Sequence, residues 1–263
     1  LKQSLGGLAA ALCGLSAQSS AASRSSVEFD PKQPWLPRYP HFAPKARRVI
    51  FASSVNAVTG LDWVAALIEA HGRVLPCSTV PLTIVAEVLG HNPAQPDAVT
   101  VVRGQVAVAT TPGTVMSLAL DPPAPPACEQ AIDAIAAADA LVLGPGSWFT
   151  SVIPHLVIPD LAKAITASSA QRVVVLNLNP QVGETSDFAA HTYLDVLFNY
   201  LPDLRIDTVI ADRQHVENEA ALKRSAGDLG AEVFVTDIAR TGPGSAGKHD
   251  AQRLAVAFDT VLA

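Results

Sequence analysis

The stretch Ala140-Leu141-Val142-Leu143-Gly144-Pro145-Gly146-Ser147-Trp148-Phe149-Thr150-Ser151 decides how this chain folds. Four apolar residues in a row, followed at once by Gly-Pro-Gly, are too short for a helix and read as a strand buried on both faces. Two glycines, a proline and two hydroxyl residues at the strand's end let the backbone approach a ligand and turn N–H groups toward an anion. The plain alternative is an ordinary β–α turn. The loop is not a Walker A motif, because it lacks that motif's lysine.

The same alternation continues downstream. Helical spacing predicts helices over Cys128–Ala138 and Ile158–Ser168, a strand over Arg172–Leu176, and a helix over Phe188–Tyr200. Next come a strand at Ile206–Ala211, a helix at His215–Gly227, a strand at Glu232–Val235 and a last helix from about Asp250 to Leu262. Repeated βα units with short apolar strands imply a mostly parallel sheet with helices on both faces, whose ligands sit past the carboxyl ends of the strands. Upstream the character changes. β-Branched runs at Thr79–Val88, Val99–Val108 and Val115–Leu120, separated by turns such as Thr111-Pro112-Gly113, predict an antiparallel β insertion at about residues 73–120. Arg48–Ala52 reads as a strand and Leu61–Ala70 as a helix, while residues 1–46 read as an irregular N-terminal segment broken by Pro31, Pro34, Pro37, Pro40 and Pro44. The expected domain is therefore 47–263.

Composition narrows the functions. A net charge of −6 argues against broad contact with nucleic acid or an anionic membrane, which demand clustered Lys and Arg. No run approaches the roughly 20 apolar residues of a membrane span. A signal-peptide core in Leu1–Leu15 is disfavoured by its one basic residue, Lys2, and the chain starts with Leu, so part of a natural N-terminus is expected to be missing. Cys13, Cys77 and Cys128 lie too far apart for a zinc or disulfide framework, which suits a cytoplasmic protein.

The strand at Arg172–Leu176 ends in Asn177-Leu178-Asn179-Pro180-Gln181-Val182-Gly183-Glu184-Thr185, a dense set of amide, carboxyl and hydroxyl groups. Two successive strands delivering polar loops to one sheet edge make a binding crevice, and Asn and Glu suit the hydroxyls of a ribose or sugar. The alternative is a solvated loop in which the Asn residues cap turns and Glu184 caps the next helix. His191, in the first turn of that helix, faces either the crevice or solvent. His155 and His249 are equally open, and none of the three has metal-ligand spacing to a partner. Asp212 ends a strand and is as suited to capping the following helix as to the crevice.

At Leu143–Leu161 (LGPGSWFTSVIPHLVIPDL) and Val175–Thr185 (VLNLNPQVGET) the sequence resembles the family that unites 2-phospho-L-lactate transferase with the bacterial gluconeogenesis factors, CofD/YvcK-like. The resemblance extends to GRVLPCSTVPLTIVAEV at Gly72–Val88, VVRGQ at Val101–Gln105 and His249-Asp250, and covers about Leu61 to Ala263. The tryptophan in the GSWFTS loop looks most like the actinobacterial gluconeogenesis factors.

The resemblance implies a Rossmann-like sheet with its crevice at the strand ends. It also implies that Gly144, Gly146, Ser147 and Thr150 contact nucleotide phosphates or sugar, and that Asn177, Gly183, Glu184 and Thr185 complete the pocket, with His191 at its edge. One branch of the family transfers a phospholactyl-type group with a divalent metal. The other binds UDP-sugars such as UDP-N-acetylglucosamine and influences carbon use, cell-wall synthesis and cell shape. Family members open with a triple-glycine loop, an Asp-Asp-Gly-Gly-Ser turn and a Pro-Gly-Asp stretch, and none of these occurs in this sequence. The crevice loops offer Glu184 but no Asp pair for a metal, so the expectation is a cytoplasmic nucleotide-sugar-binding regulatory factor with no catalytic residue, metal or cofactor, in which a homo-oligomer is allowed. The alternatives are a transferase of phospholactyl type and a relic acting through protein contacts alone.

Overall fold

The computed structural model describes residues 8–9, 58, 61–62, 72–181, 183–242, 244 and 247–263. Strand β1 (Leu8–Ala9) pairs in parallel with β5 (Ala140–Leu143), and the sheet continues through β6 (Gln171–Val175), β7 (Thr208–Asp212) and β8 (Glu232–Thr236) in the order β1-β5-β6-β7-β8. All pairings are parallel, with Val142 opposite Val173, Val174 opposite Val209 and Ile210 opposite Phe234. The expected α/β fold with a mostly parallel sheet is the observed one.

Strand periodicity explains why these strands are apolar throughout. Val174, Val209 and Ala211 face the larger core, whereas Val173, Val175 and Ile210 face a second core closed by Ile238 and Ala257. Helix α7 (Ala251–Val261) covers that second face. Helices α2 (Glu129–Ala136), α4 (Pro159–Ala167), α5 (Ala190–Tyr200) and α6 (Glu219–Asp228) contribute to the first. Burying each such Val, Leu or Ile side chain stabilises by about 1.5–3 kcal/mol.

The insertion is a three-stranded antiparallel sheet, β2 (Thr83–Leu89), β3 (Val99–Arg103) and β4 (Thr114–Asp121), in the order β3-β2-β4. Its inner face, including Ile84, Ala86, Val88, Val102 and Leu118, joins the larger core. Tyr200 of α5 ties the two layers, its hydroxyl accepting the Leu118 N–H at 2.6 Å.

Two boundaries differ from expectation. The run Val99–Val108 is a strand only to Arg103; Gly104 turns at φ 99°, and Gln105–Ala109 form the short helix α1. Instead of one helix from His215, a 3₁₀ turn (Arg213–His215) is capped by Asp212, and α6 starts at Glu219 because the Asn218 side chain accepts the Ala221 N–H at 2.9 Å. Of the expected helix at Leu61–Ala70, Leu61 and Asp62 are described and helical; the strand at Arg48–Ala52 and most of segment 1–46 lie outside the described residues. No helix among the described residues is long and apolar enough to cross a membrane.

Candidate functional site

Strands β5 and β6 are neighbours, so their carboxyl ends must emerge side by side. They converge closely: a Cβ on Gly144, at φ 76°, would stand 2.6 Å from the Val175 carbonyl oxygen. Only glycine fits there. One turn further the loops are stitched together, with Asn177 Oδ1 accepting the Gly146 N–H at 2.9 Å and Asn177 Nδ2 donating to the Gly146 carbonyl at 2.8 Å. Between these contacts Gly146 itself is open, since a Cβ there would meet nothing within 4 Å.

Behind Gly146 the chain enters a widened helical segment, Trp148–Val152, in which the Ser147 carbonyl accepts both the Ser151 and Val152 N–H groups at 2.9 and 3.2 Å. It leads into the short helix α3 (Ile153–Leu156). The segment is anchored by Trp148, which is fully buried, stands edge-on to Tyr193 at 5.0 Å and donates its indole N–H to the Tyr193 carbonyl. Phe188 bridges Phe149 and Tyr193 through edge-to-face contacts.

Glu184 does not cap the helix that follows it. Its carboxylate turns back to the first loop, Oε2 accepting from Ser147 Oγ at 2.5 Å, and Ser147 in turn contacts the Thr150 hydroxyl. Burial pushes the Glu184 carboxyl above the usual carboxylate range, and the Ser147 hydroxyl, the N–H groups of Phe149 and Thr150, and the Thr150 hydroxyl pull it back only in part. Thr185 caps its own turn by accepting the Gln181 N–H at 2.9 Å and meets the Tyr193 hydroxyl at 3.3 Å. Gly183 packs on the insertion, because a Cβ there would stand 2.3 Å from the Thr111 carbonyl oxygen.

The structure thus brings together Gly144, Gly146, Ser147, Thr150, Asn177, Glu184 and Thr185. Gly146, Ser147 and Asn177 are half-buried, and Thr150, Glu184 and Thr185 are buried supports beneath them. His191 stands half-buried in the first turn of α5, outside the hydrogen bonds that join these residues. Gln105, Gln181 and Tyr193 belong to the same network and were not singled out by residue type. Gln105 reaches the Thr150 carbonyl from α1 at 3.4 Å. Beside the loops, a groove of about 430 Å³ runs between β4 and α5, lined by Met116, Leu118, Phe149, Phe188 and Tyr200.

The other candidates make structural contacts outside this network. Asp212 is 4% exposed and accepts four bonds, from Gln214 N and His215 Nδ1 on one oxygen and from Ile238 N and Ala239 N on the other. Burial alone would lift its carboxyl, but the His215 ring and these N–H groups outweigh it and hold the group below its ordinary range. His249 Nε2 contacts the Leu176 carbonyl at 3.2 Å, and burial keeps this ring's pKa below the usual histidine value. His155 is buried against the Val152 carbonyl. Among the described residues there is no group of three or more His, Cys, Asp or Glu side chains that could hold a metal ion.

The family described as 2-phospho-L-lactate transferase CofD matches residues 49–244. The chain belongs to this family. Within it, a Mycobacterium tuberculosis protein provisionally named a gluconeogenesis factor is 46% identical over 211 residues, covering 79% of this chain and 60% of its own length. A Mycobacterium leprae protein with the same provisional name is 44% identical over 209 residues, covering 78% of this chain and 57% of its own. The gluconeogenesis factor of Listeria innocua is 27% identical over 215 residues, covering 78% of this chain and 64% of its own. The chain therefore spans about three fifths of the length of the curated relatives it matches. A crystal structure of a UPF0052-family protein from Bacillus halodurans shares the fold with a TM-score of 0.64 at 22% identity, covering 77% of this chain and 66% of that one.

Proposed function

We propose that this CofD-family chain is a regulatory factor of the gluconeogenesis-factor type that binds a nucleotide sugar of the UDP-N-acetylglucosamine kind, and through it bears on carbon use, cell-wall synthesis and cell shape. The observation that carries the reading is the open face of Gly146. Two strand tips are fixed to each other by the Asn177 amide, which takes both the N–H and the carbonyl of Gly146 and leaves the Cα face of that glycine uncovered for a ligand. Pyrophosphate oxygens suit such an approach, because a glycine backbone comes closer than any side chain allows. The Ser147 hydroxyl, which donates to Glu184, keeps a lone pair that suits a sugar hydroxyl.

The gluconeogenesis-factor name of the relatives favours a regulatory binder. The family description itself supports the second reading, transfer of a phospholactyl-type group. Calorimetry with UDP-N-acetylglucosamine, UDP and GDP separates the two. Binding of the uridine compounds is the expected result; a preference for GDP supports the transferase, and heat from none of the three refutes both.

A further inference from the structure

Glu184 has a property that its structural duties leave unexplained. It is 2% exposed, its Oε2 is held by Ser147, and its Oε1 is buried with no hydrogen-bond partner among the described residues. The groups facing it are the Ser147 and Thr150 hydroxyls and the Phe149 and Thr150 N–H groups from the β5 loop, with Tyr193 from α5; none of them is a cation. A glutamine of the same shape would satisfy the Ser147 contact without bringing a charge into a buried place, where an uncompensated carboxylate is costly. The residue that holds this carboxylate, Ser147, immediately follows Gly146, whose face is open.

We propose that Glu184 sets the charge of the ligand: it disfavours a terminal phosphate over Gly146 and favours a pyrophosphate diester, the form in which a nucleotide carries a sugar. This deepens the reading of the two loops as a nucleotide site and rests on it. A terminal phosphate bears roughly one more negative charge at neutral pH than a diester phosphate does, since its second ionisation lies near pH 6. One extra charge several ångströms from a carboxylate, at the effective dielectric of a partly buried site, weakens binding by about tenfold or more. The same repulsion makes it easier for Glu184 to take up a proton when an anion binds, so binding tightens as pH falls.

The test measures UDP-N-acetylglucosamine and UDP binding at pH 8 by calorimetry, with wild type and E184Q. Wild type is expected to favour the diester, and E184Q to lose about tenfold of that preference, chiefly by binding UDP more tightly. A second measurement needs no variant. UDP-N-acetylglucosamine binding to wild type, followed from pH 6 to 8 in buffers of different ionisation enthalpy, should show proton uptake, and neither the diester nor the Ser147 hydroxyl titrates in that interval. E184Q should remove this uptake. Equal preference in E184Q and wild type, or a wild type that binds the diester without proton uptake, overturns the role of Glu184 while the site stands. Failure of wild type to bind either compound overturns the site and this role together.

Discussion

Gly144 and Gly146 are two residues apart in one loop, yet the structure demands opposite outcomes when each is replaced. Alanine at 144 must adopt φ 76° and place its Cβ 2.6 Å from the Val175 carbonyl oxygen. The left-handed backbone costs about 1–2 kcal/mol and the forced separation of the strand tips about 1–3 kcal/mol more, together roughly 2–5 kcal/mol. For a domain of about 200 residues that is a fall in Tm of roughly 4–20 °C. At Gly146→Leu the Cβ meets nothing within 4 Å and the backbone bears only the strain of a φ of 156°, about 1 kcal/mol. The added side chain fills the space above the loop, so nucleotide binding should vanish while the fold remains. Urea or thermal denaturation followed by circular dichroism measures the first effect, and calorimetry the second. If Gly144→Ala is as stable as wild type, the strand tips do not converge as described. If Gly146→Leu binds the nucleotide unchanged, the crevice is elsewhere.

Two further outcomes follow from the hydrogen bonds. Asn177→Ala removes both bonds to Gly146 and should lower stability by about 1–3 kcal/mol and weaken nucleotide binding, read by the same two assays; undiminished affinity would show that the stitch between loops does not shape the site. Asp212 has a carboxyl held below its unfolded value, so its contribution to stability is fully present above the unfolded pKa near 3.9 and is lost as pH falls through the folded one. Asp212→Asn should therefore be less stable at pH 7 and show a flatter acid limb in urea denaturation between pH 3 and 6, and a variant whose stability parallels wild type at every pH would contradict this.

The parallel sheet was legible because its strands are buried on both faces, which leaves runs such as Val173–Val175 and Val209–Ala211 with no polar positions. The insertion was legible in outline, but the Val-Ala-Val-Ala alternation of residues 106–109 has the period of a strand and belongs to a helix, because Gly104 turns the chain before it. The site was legible as two polar loops and no further. Which partner each polar group takes depends on contacts made across 31 residues for Asn177 and 37 for Glu184, and residue type does not encode that distance. Thr150, Gly183 and Thr185, which the family resemblance assigns to the pocket, also brace the loops in the folded chain, through contacts that residue type does not announce. His191 carried no local signal in either direction.

The contact of Gly183 with Thr111 joins the tip of the small antiparallel sheet to the loop that carries Asn177 and Glu184. Thr111 also holds the ring of His91 through its hydroxyl at 3.0 Å, so the tip is braced from its own side as well. A bulkier residue at 183 would act as a wedge there, prising the small sheet off the floor of the crevice. The small sheet is therefore a buttress for the loop that carries Asn177 and Glu184, and damage to the buttress would be felt at both strand tips although it lies outside the parallel sheet.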